Sequence, residues 1–204
     1  MSRITSIEQL RLIYDEPSER VVRKDIGHID RHYCHRFIEL CPFVAISSCN
    51  SNGEADCSPR GGKPGFVKFL DSKTLIIPDW GGNNRLDTFI NFLDNDSIGL
   101  MFVVPGVNEI LRTNGSAVLR TDEEYRTKCM EQGKIPRLVI LVHVREVYLH
   151  CAKAMMRADL WNDAKKIDRE ALPSAGQILK DHLRTAGEPE TSEAMYKRYK
   201  RVLY

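Results

Sequence analysis

The segment of residues 77–102, IPDWGGNNRLDTFINFLDNDSIGLMF, contains residue types suited to binding an anion. Asn83, Asn84 and Arg85 follow two glycines and precede a run with helical periodicity. Glycines let a ligand approach the backbone closely, and free N–H groups at the start of a helix attract negative charge. Two amide side chains and one cation add further donors. These residues suit a phosphate monoester; the simpler alternative is a capped corner between a strand and a helix.

A second cationic stretch, ADCSPRGGKPGFVK at residues 55–68, places Arg60 and Lys63 near a Pro-Gly loop and Lys68 on the strand that follows. In a barrel, neighbouring strands lie side by side, so Arg60 and Arg85 could converge on one anion. The alternative is a solvated loop whose charges have no specific partner.

A third stretch, YLHCAKAMMRADLW at residues 148–161, combines His150, Lys153, Arg157 and Trp161. A Trp ring can pack against a planar ligand, while His and Lys can bind polar ring atoms or phosphate. The alternative is a terminal helix anchored by its methionines and its Trp.

Three histidines near the N-terminus, His28, His32 and His35, have the spacing of a helix face and lie close to Cys34 and Glu39. Such a face can carry metal ligands, but no second cluster complements it, so outward-facing polar histidines are the preferred interpretation and no metal site is predicted. A metal-dependent hydrolase is the weakest functional alternative. No serine or cysteine has the sequence context of an activated nucleophile.

The composition constrains the class of protein and its partners. The 204 residues are 42 % hydrophobic, and 30 Lys and Arg nearly balance 28 Asp and Glu. This balance argues against nucleic acid or a membrane surface as the main partner. The N-terminus lacks the apolar core of a signal peptide and no apolar run could span a bilayer, so we expect a cytoplasmic protein. The six cysteines form no CxxC pair and are predicted to be reduced.

Apolar spacing predicts helices over residues 5–14, 30–40 and 85–94, and a compact helix between residues 122 and 133. The residues that fit the N-caps of the last three are Asp30, Asn84 and Asp122. The predicted buried stripe of the helix over residues 85–94 consists of Leu86, Phe89, Ile90 and Leu93.

The strand-like runs are joined mostly by short turns. Asn52-Gly53 suits a type I′ turn in the first hairpin, and residues 65–70 and 74–78 form the second. A later long strand is interrupted at Asn114-Gly115, which predicts a bulge or bend. Six or seven such strands favour an antiparallel sheet closed as a small barrel with helices at its ends. The glycine-rich stretches match neither the dinucleotide fingerprint nor a P-loop, which argues against a parallel nucleotide-binding sheet.

The order of four motifs, CPFVAISSCNSNGEADCSPRGG, TLIIPDWGGNNRLDTFINFLDNDSIGLMFVVPG, LRTNGSAVL and YLHCAKAMMRADLW, resembles that of the pyridoxamine 5′-phosphate oxidase-like flavoproteins. The resemblance covers about residues 28–185 and is strongest to the branch with SPRG, GNNRLD and HCxKA motifs. It implies a mainly β protein with peripheral helices: an FMN-binding split β-barrel of six to seven mostly antiparallel strands. It also implies a homodimer that binds FMN at the subunit interface, with each site using both chains.

The resemblance also implies which residues bind the cofactor. Arg60 and the turn of Asn83, Asn84 and Arg85 would hold the FMN phosphate, and Ser58 belongs to the same motif. The residues expected to border the ribityl chain and ring are Val67, Lys68, Ile77 and Pro78. Those expected to face the ring or to come from the partner chain are Arg112, His150, Lys153 and Trp161.

The expected organisation is an N-terminal helical extension over residues 1–27, a split-barrel domain over 28–150, and a C-terminal helical segment over 151–204 that packs on the barrel and completes the site. The expected function is an FMN-dependent oxidoreductase with an unidentified substrate and no assigned catalytic residue. The alternative is a module that binds or senses FMN, a deazaflavin or haem without catalysis. Neither nucleic acid nor a membrane is an expected partner.

Overall fold

The computed structural model describes residues 3–204, so the first two residues of the predicted N-terminal extension lie outside the described part of the chain. Its centre is a single sheet of antiparallel neighbours. The strands are β1 (Phe43–Cys49), β2 (Ala55–Gly61), β3 (Lys68–Asp71), β4 (Thr74–Asp79), β5 (Ser97–Val103), β6 (Ile110–Arg120) and β7 (Leu138–His150). Their order across the sheet is β2-β1-β5-β6-β7-β4-β3.

Helices surround this sheet. They are α1 (Ile7–Arg11), α2 (Glu19–Arg23), α3 (Cys34–Leu40), α4 (Asp87–Asp94), α5 (Glu123–Lys128), α6 (Lys153–Ala158), α7 (Ala175–Leu183) and α8 (Ser192–Lys200), with short 3₁₀ turns at Asp163–Lys165 and Arg169–Ala171. The predicted class is confirmed: a mainly β split barrel with peripheral helices. Within residues 3–204, no helix is both long enough and apolar enough to cross a membrane.

Strands β4 and β7 each contain a continuous run of buried residues. All five residues from Thr74 to Pro78 are buried, and so is the run Val139–Val142 in β7. Such continuous burial requires cover on both faces of the sheet. The main core, which includes Ile77, covers one face; a smaller cluster containing Ile76 and Cys129 covers the other. Beyond Val142, burial in β7 becomes one-sided, with exposed His143 and Arg145 on either side of buried Val144.

The bend predicted at Asn114-Gly115 is present. The register between β6 and β7 shifts between these two residues, so β6 carries an irregularity there. Gly115 is required sterically because an added Cβ would lie 2.1 Å from the backbone oxygen of His143. Bulges of this kind increase the local twist and help a sheet to curl.

The turn between β1 and β2 differs from the predicted type I′ turn. Gly53 has a φ of 81°, but Asn52 lacks the positive φ that such a turn also needs at its first central position. The side chain of Asn50 organises the turn instead: its Oδ1 accepts the backbone N–H groups of Asn52 at 3.1 Å and Glu54 at 2.9 Å. A local side-chain acceptor therefore replaces part of the backbone pairing.

The helix α3 begins later than predicted. It starts at Cys34 rather than next to Asp30. The Asp30 carboxylate accepts N–H groups from His32, Tyr33 and Cys34, so it closes the turn that leads into the helix. Burial acts to raise the pKa of Asp30, but the hydrogen bonds from Cys34 and the backbone outweigh it and lower this pKa to about 2.

The predicted start and buried face of α4 are wrong. The helix begins at Asp87, and Leu86 occupies the N-cap position in the left-handed conformation, with no side-chain cap. The side chains that α4 buries are Thr88, Phe89, Asn91 and Phe92. Three of the four residues of the predicted stripe are exposed: Leu86 at 50 %, Ile90 at 57 % and Leu93 at 79 %.

Polar contacts explain this rotation of α4. The hydroxyl of Thr88 donates to Asp56 Oδ2 on β2 at 2.6 Å. The amide of Asn91 donates to Ser48 Oγ on β1 at 3.0 Å, and both of these side chains are buried. Because buried polar groups need partners, these two bonds fix which side of the helix faces the sheet.

Candidate functional site

A cavity of about 500 Å³ lies where β2, the end of β4 and the start of α4 meet. This volume is within the range of small-molecule sites, roughly 300–1,000 Å³. The cavity is lined by Asp56, residues 58–61, residues 78–89 and residues 137–138. It therefore brings together two of the stretches that the sequence singled out, the SPRG segment and the GGNNRLD corner.

Arg60 is the most firmly held cation in this cavity. It lies on β2, and its Nη1 donates to Ser58 Oγ at 2.6 Å and to the carbonyl of Pro59 at 3.1 Å. The guanidinium also lies over the Phe89 ring at 5.6 Å and places Nη2 4.0 Å from Asp79. Its Nε is buried and has no hydrogen-bond partner within residues 3–204. Arg60 is thus fixed in place, and its Nε is a buried donor that no described protein group satisfies.

The corner from Gly81 to Leu86 is an irregular loop rather than the first turn of a helix. Asn84 and Leu86 both adopt left-handed backbone conformations, with φ of 58° and 63°. Asn83 Oδ1 accepts the N–H of Arg85 at 3.0 Å. Arg85 itself is exposed, and its Nε donates to Asp87 at 2.5 Å. The Arg85 cation is therefore available to the cavity but is held by an internal carboxylate.

The charges that line the cavity are balanced. Arg60, Arg85 and Arg137 face the carboxylates Asp56, Asp79 and Asp87. Burial raises the pKa of Asp79, although Arg60 and Arg137 act in the opposite direction. Since Asp79 lies near Arg60 and Asp87 pairs with Arg85, an anion entering the cavity would compete with these two carboxylates for the arginines.

Four further predicted residues lie on or behind the walls. The Pro78 ring lines the cavity, but Val67 and Ile77 are buried in the main core. Val67 and Ile77 are buried as whole residues, at 2 % and 0 % exposure, and neither lines the cavity. Lys68 lies on β3, and its Nζ donates to the carbonyl of Gly65 at 2.7 Å.

The other predicted residues lie at the far end of β7. His150 is the last residue of that strand and Lys153 the first of α6, whereas the cavity touches Leu138 at the strand's beginning. At about 3.3 Å per residue, the twelve steps between Leu138 and His150 span up to roughly 40 Å.

Arg112 and Trp161 belong to this far end too. The guanidinium of Arg112 lies over the Tyr148 ring at 5.1 Å. The indole of Trp161 donates to the carbonyl of Val107 at 3.0 Å. One chain thus gathers Ser58, Arg60 and the Asn83–Arg85 turn in one cavity, and it keeps the second set apart from them.

The histidine face has ordinary contacts. His35 stacks on Phe69 with ring centres 3.8 Å apart and lies 3.5 Å from Glu39. Across the described residues 3–204, no three His, Cys, Asp or Glu side chains are grouped so as to hold a metal ion.

The cavity residues that the sequence prediction did not include are led by Asp79, Trp80 and Arg137. Asp79 and Trp80 stand immediately before the two glycines of the corner, so proximity to the motif was a usable signal for them. Arg137 gave no such signal because it reaches the cavity only through the long-range pairing of β4 with β7, in which Asp79 faces Leu138.

A family comparison covers all seven strands. The sequence model described as pyridoxamine 5′-phosphate oxidase matches residues 32–151, which is more than half of the chain. The chain belongs to this family. The resemblance drawn from the motifs is thereby confirmed. The matched residues of this family member include the whole lining of the cavity.

Comparison with solved structures gives fold-level likenesses. A single-residue variant of HupZ from Group A Streptococcus shares 19 % identity over 60 % of this chain and 99 % of that chain, with a TM-score of 0.49. General Stress Protein 26 from Bacillus anthracis shares 12 % over 56 % and 88 %, with a TM-score of 0.44. An FMN-binding protein from Syntrophomonas wolfei shares 13 % over 71 % and 92 %, also at 0.44. A comparison with curated proteins gave no match.

Proposed function

We propose that this protein is an FMN-binding flavoprotein oxidoreductase that works as a homodimer. The observation that carries the proposal is Arg60, whose guanidinium is fixed by Ser58 and Pro59 and keeps a buried, unpartnered Nε in a cavity of fitting size. A buried donor without a partner is costly, and a bound anion would remove that cost. Because the chain belongs to the pyridoxamine 5′-phosphate oxidase family, we take the phosphate of a flavin to be this anion.

The cavity residues fit such a phosphate through defined roles. Arg60 would supply a fixed, charge-assisted donor, and Ser58 would hold that guanidinium in place. Asn83 and Asn84 would add amide donors from the corner. Arg85 would exchange its contact with Asp87 for the phosphate, which keeps one cation paired in both states. FMN, when bound, supplies transfer of an electron pair to or from a substrate.

The homodimer follows from the separation along β7. Arg112, His150, Lys153 and Trp161 do not line the cavity of their own chain, which meets β7 only at its first residue, Leu138. A second copy, related by twofold symmetry, would bring its far-end residues to the first copy's cavity. In this arrangement each FMN would contact the phosphate residues of one chain and the ring-facing residues of its partner.

Flavin binding is tested with the purified full-length protein. We expect a yellow protein that releases FMN, rather than FAD or riboflavin, on acid treatment. Arg60→Ala should weaken FMN binding by about 1.5–3 kcal/mol, the range for a hydrogen bond to a charged group. The matched control is Arg36→Ala, which removes an exposed arginine paired with Glu39 at 3.3 Å, away from the cavity. Protein that gains no flavin absorbance with excess FMN contradicts the proposal, as does equal FMN affinity in a folded Arg60→Ala.

Turnover separates an oxidoreductase from a module that only holds its cofactor. Bound FMN can be reduced under anaerobic conditions with light and EDTA as the electron donor, and its reoxidation followed by absorbance. An oxidoreductase reoxidises faster when a suitable acceptor is added than with air alone. A panel of oxidised nicotinamides and quinones is a first set of acceptors, and equal rates across a broad panel would favour the non-catalytic alternative.

A further inference from the structure

Trp80 has an aromatic partner that comes from the far end of the chain. It lines the cavity immediately before Gly81 and Gly82. The ring of Tyr204, which follows α8, packs edge-on against it, with ring centres 5.1 Å apart and an interplanar angle of 89°. Edge-to-face pairs of this kind contribute beyond simple apolar burial.

The two glycines after Trp80 are not explained by crowding. An added Cβ on Gly81 or Gly82 would meet no atom within 4 Å, and neither residue has a positive φ. Their remaining effect is conformational freedom, because glycine restricts the backbone least. The loop that carries Asn83 and Arg85 is therefore intrinsically loose at its start, and Trp80 is the large side chain that can anchor it there.

Tyr204 is itself held by a neighbouring turn. Lys134 Nζ donates to the backbone oxygen of Tyr204 at 2.6 Å. Lys134 and Glu131 close this turn through paired backbone hydrogen bonds of 2.9 and 3.0 Å. Glu131 also accepts from Lys63 at 2.5 Å, which ties the turn to the segment after β2. These contacts fix the place at which the Tyr204 ring meets Trp80.

We propose that the Trp80–Tyr204 contact is a latch that holds the Gly81–Leu86 loop in its ligand-binding arrangement. Tyr204 is then a positioning residue, since it acts on the cavity through Trp80. Without the latch, the competent loop is only part of the population, and the apparent dissociation constant rises by the inverse of that fraction. The use of FMN as the test ligand rests on the proposed function. The effect of the Trp80–Tyr204 contact on the loop does not depend on that function.

The binding test compares three variants of the full-length protein. Tyr204→Ala removes the ring and should weaken FMN binding about two- to twelvefold, which corresponds to the strength of an aromatic pair. Tyr204→Phe keeps the ring edge and should bind like the natural protein. Tyr196→Ala, which removes a half-exposed tyrosine of α8, is the matched control and should also leave affinity unchanged. Equal affinity of Tyr204→Ala and Tyr204→Phe overturns the latch.

A readout without ligand separates this inference from the proposed function. Hydrogen exchange of the peptide covering residues 81–86 should be faster in Tyr204→Ala than in Tyr204→Phe, with the rest of the sheet unchanged. If the natural protein binds no FMN, the proposed function fails but this exchange result still decides the latch. In a Trp80→Leu background, Tyr204→Ala should have no additional effect on exchange, because the two residues act as one pair. Equal exchange in Tyr204→Ala and Tyr204→Phe contradicts the proposal.

Discussion

Arg60 and Arg85 differ in how firmly the protein holds them. Arg60 is enclosed by Ser58, Pro59 and the Phe89 ring, so little side-chain freedom remains to be lost when a ligand binds. Arg85 is 77 % exposed and has one strong contact, to Asp87. A fixed cation favours binding through pre-organisation, whereas a mobile one must first leave its partner.

The contact between Arg85 and Asp87 leads to a prediction about affinity. In the proposed complex, Asp87 competes with the FMN phosphate for Arg85, so Asp87→Asn should tighten FMN binding by up to about fivefold, as expected for an exposed ion pair. The measurement is an FMN titration followed by fluorescence, at low and high salt.

The control for this variant is Asp122→Asn. It removes a carboxylate that pairs with Arg120 at 2.7 Å and lies outside the cavity lining. Both variants change the net charge equally, so a general charge effect would appear in both. Unchanged or weaker FMN binding in Asp87→Asn would show that Arg85 does not transfer from Asp87 to the phosphate.

The placement of α4 shows where sequence periodicity fails. Its apolar residues gave a consistent stripe, but the helix docks through Thr88 and Asn91 as well as Phe89. An analysis of apolar periodicity assigns polar residues to the exposed face of a helix. It cannot show that Asp56 and Ser48 on the sheet accept hydrogen bonds from Thr88 and Asn91. The left-handed residues before the helix likewise override the capping pattern that predicted its start.

A pair of substitutions tests this orientation of α4. Asn91→Ala removes a buried amide and leaves the buried Ser48 hydroxyl without its donor, which should lower the free energy of unfolding by about 1–3 kcal/mol. Leu93→Ala changes a side chain that is 79 % exposed and should alter this free energy by less than about 0.5 kcal/mol. Urea unfolding followed by circular dichroism measures both. The predicted apolar stripe requires the reverse order, so a larger loss for Leu93→Ala would refute the orientation described.

The sheet as a whole was predictable in content but not in order. Hairpins such as β1–β2 and β3–β4 follow from local turns and alternating burial, and the bend at Asn114-Gly115 follows from its sequence. The pairing of β4 with β7 joins residues far apart in sequence, and no local pattern encodes it. This pairing brings Arg137 to the cavity, whereas His150, at the other end of β7, does not line it.

The proposed sharing of each site between two chains can be tested by mixing variants. One variant changes the cavity set, represented by Arg60, and the other changes the far-end set, represented by Lys153. In the proposed homodimer, Arg60→Ala and Lys153→Ala should each impair every site of their own dimer. In a heterodimer of the two, one cavity would carry both substitutions and the other would have neither. Because homo-oligomers of this kind are symmetric, random pairing should restore tight FMN binding at about a quarter of all sites.

Co-expression of differently tagged chains, tandem purification and FMN titration would measure this recovery. Purified heterodimers should bind one FMN tightly per two chains, while either variant alone should bind weakly. The control pairs Arg60→Ala with Ser58→Ala; both residues lie in the same cavity, so their heterodimer leaves no intact site. Failure of the Arg60→Ala and Lys153→Ala pair to recover binding, in a verified dimer, would place both residues in one chain's site or leave Lys153 outside it. Either outcome would contradict a site shared between two chains.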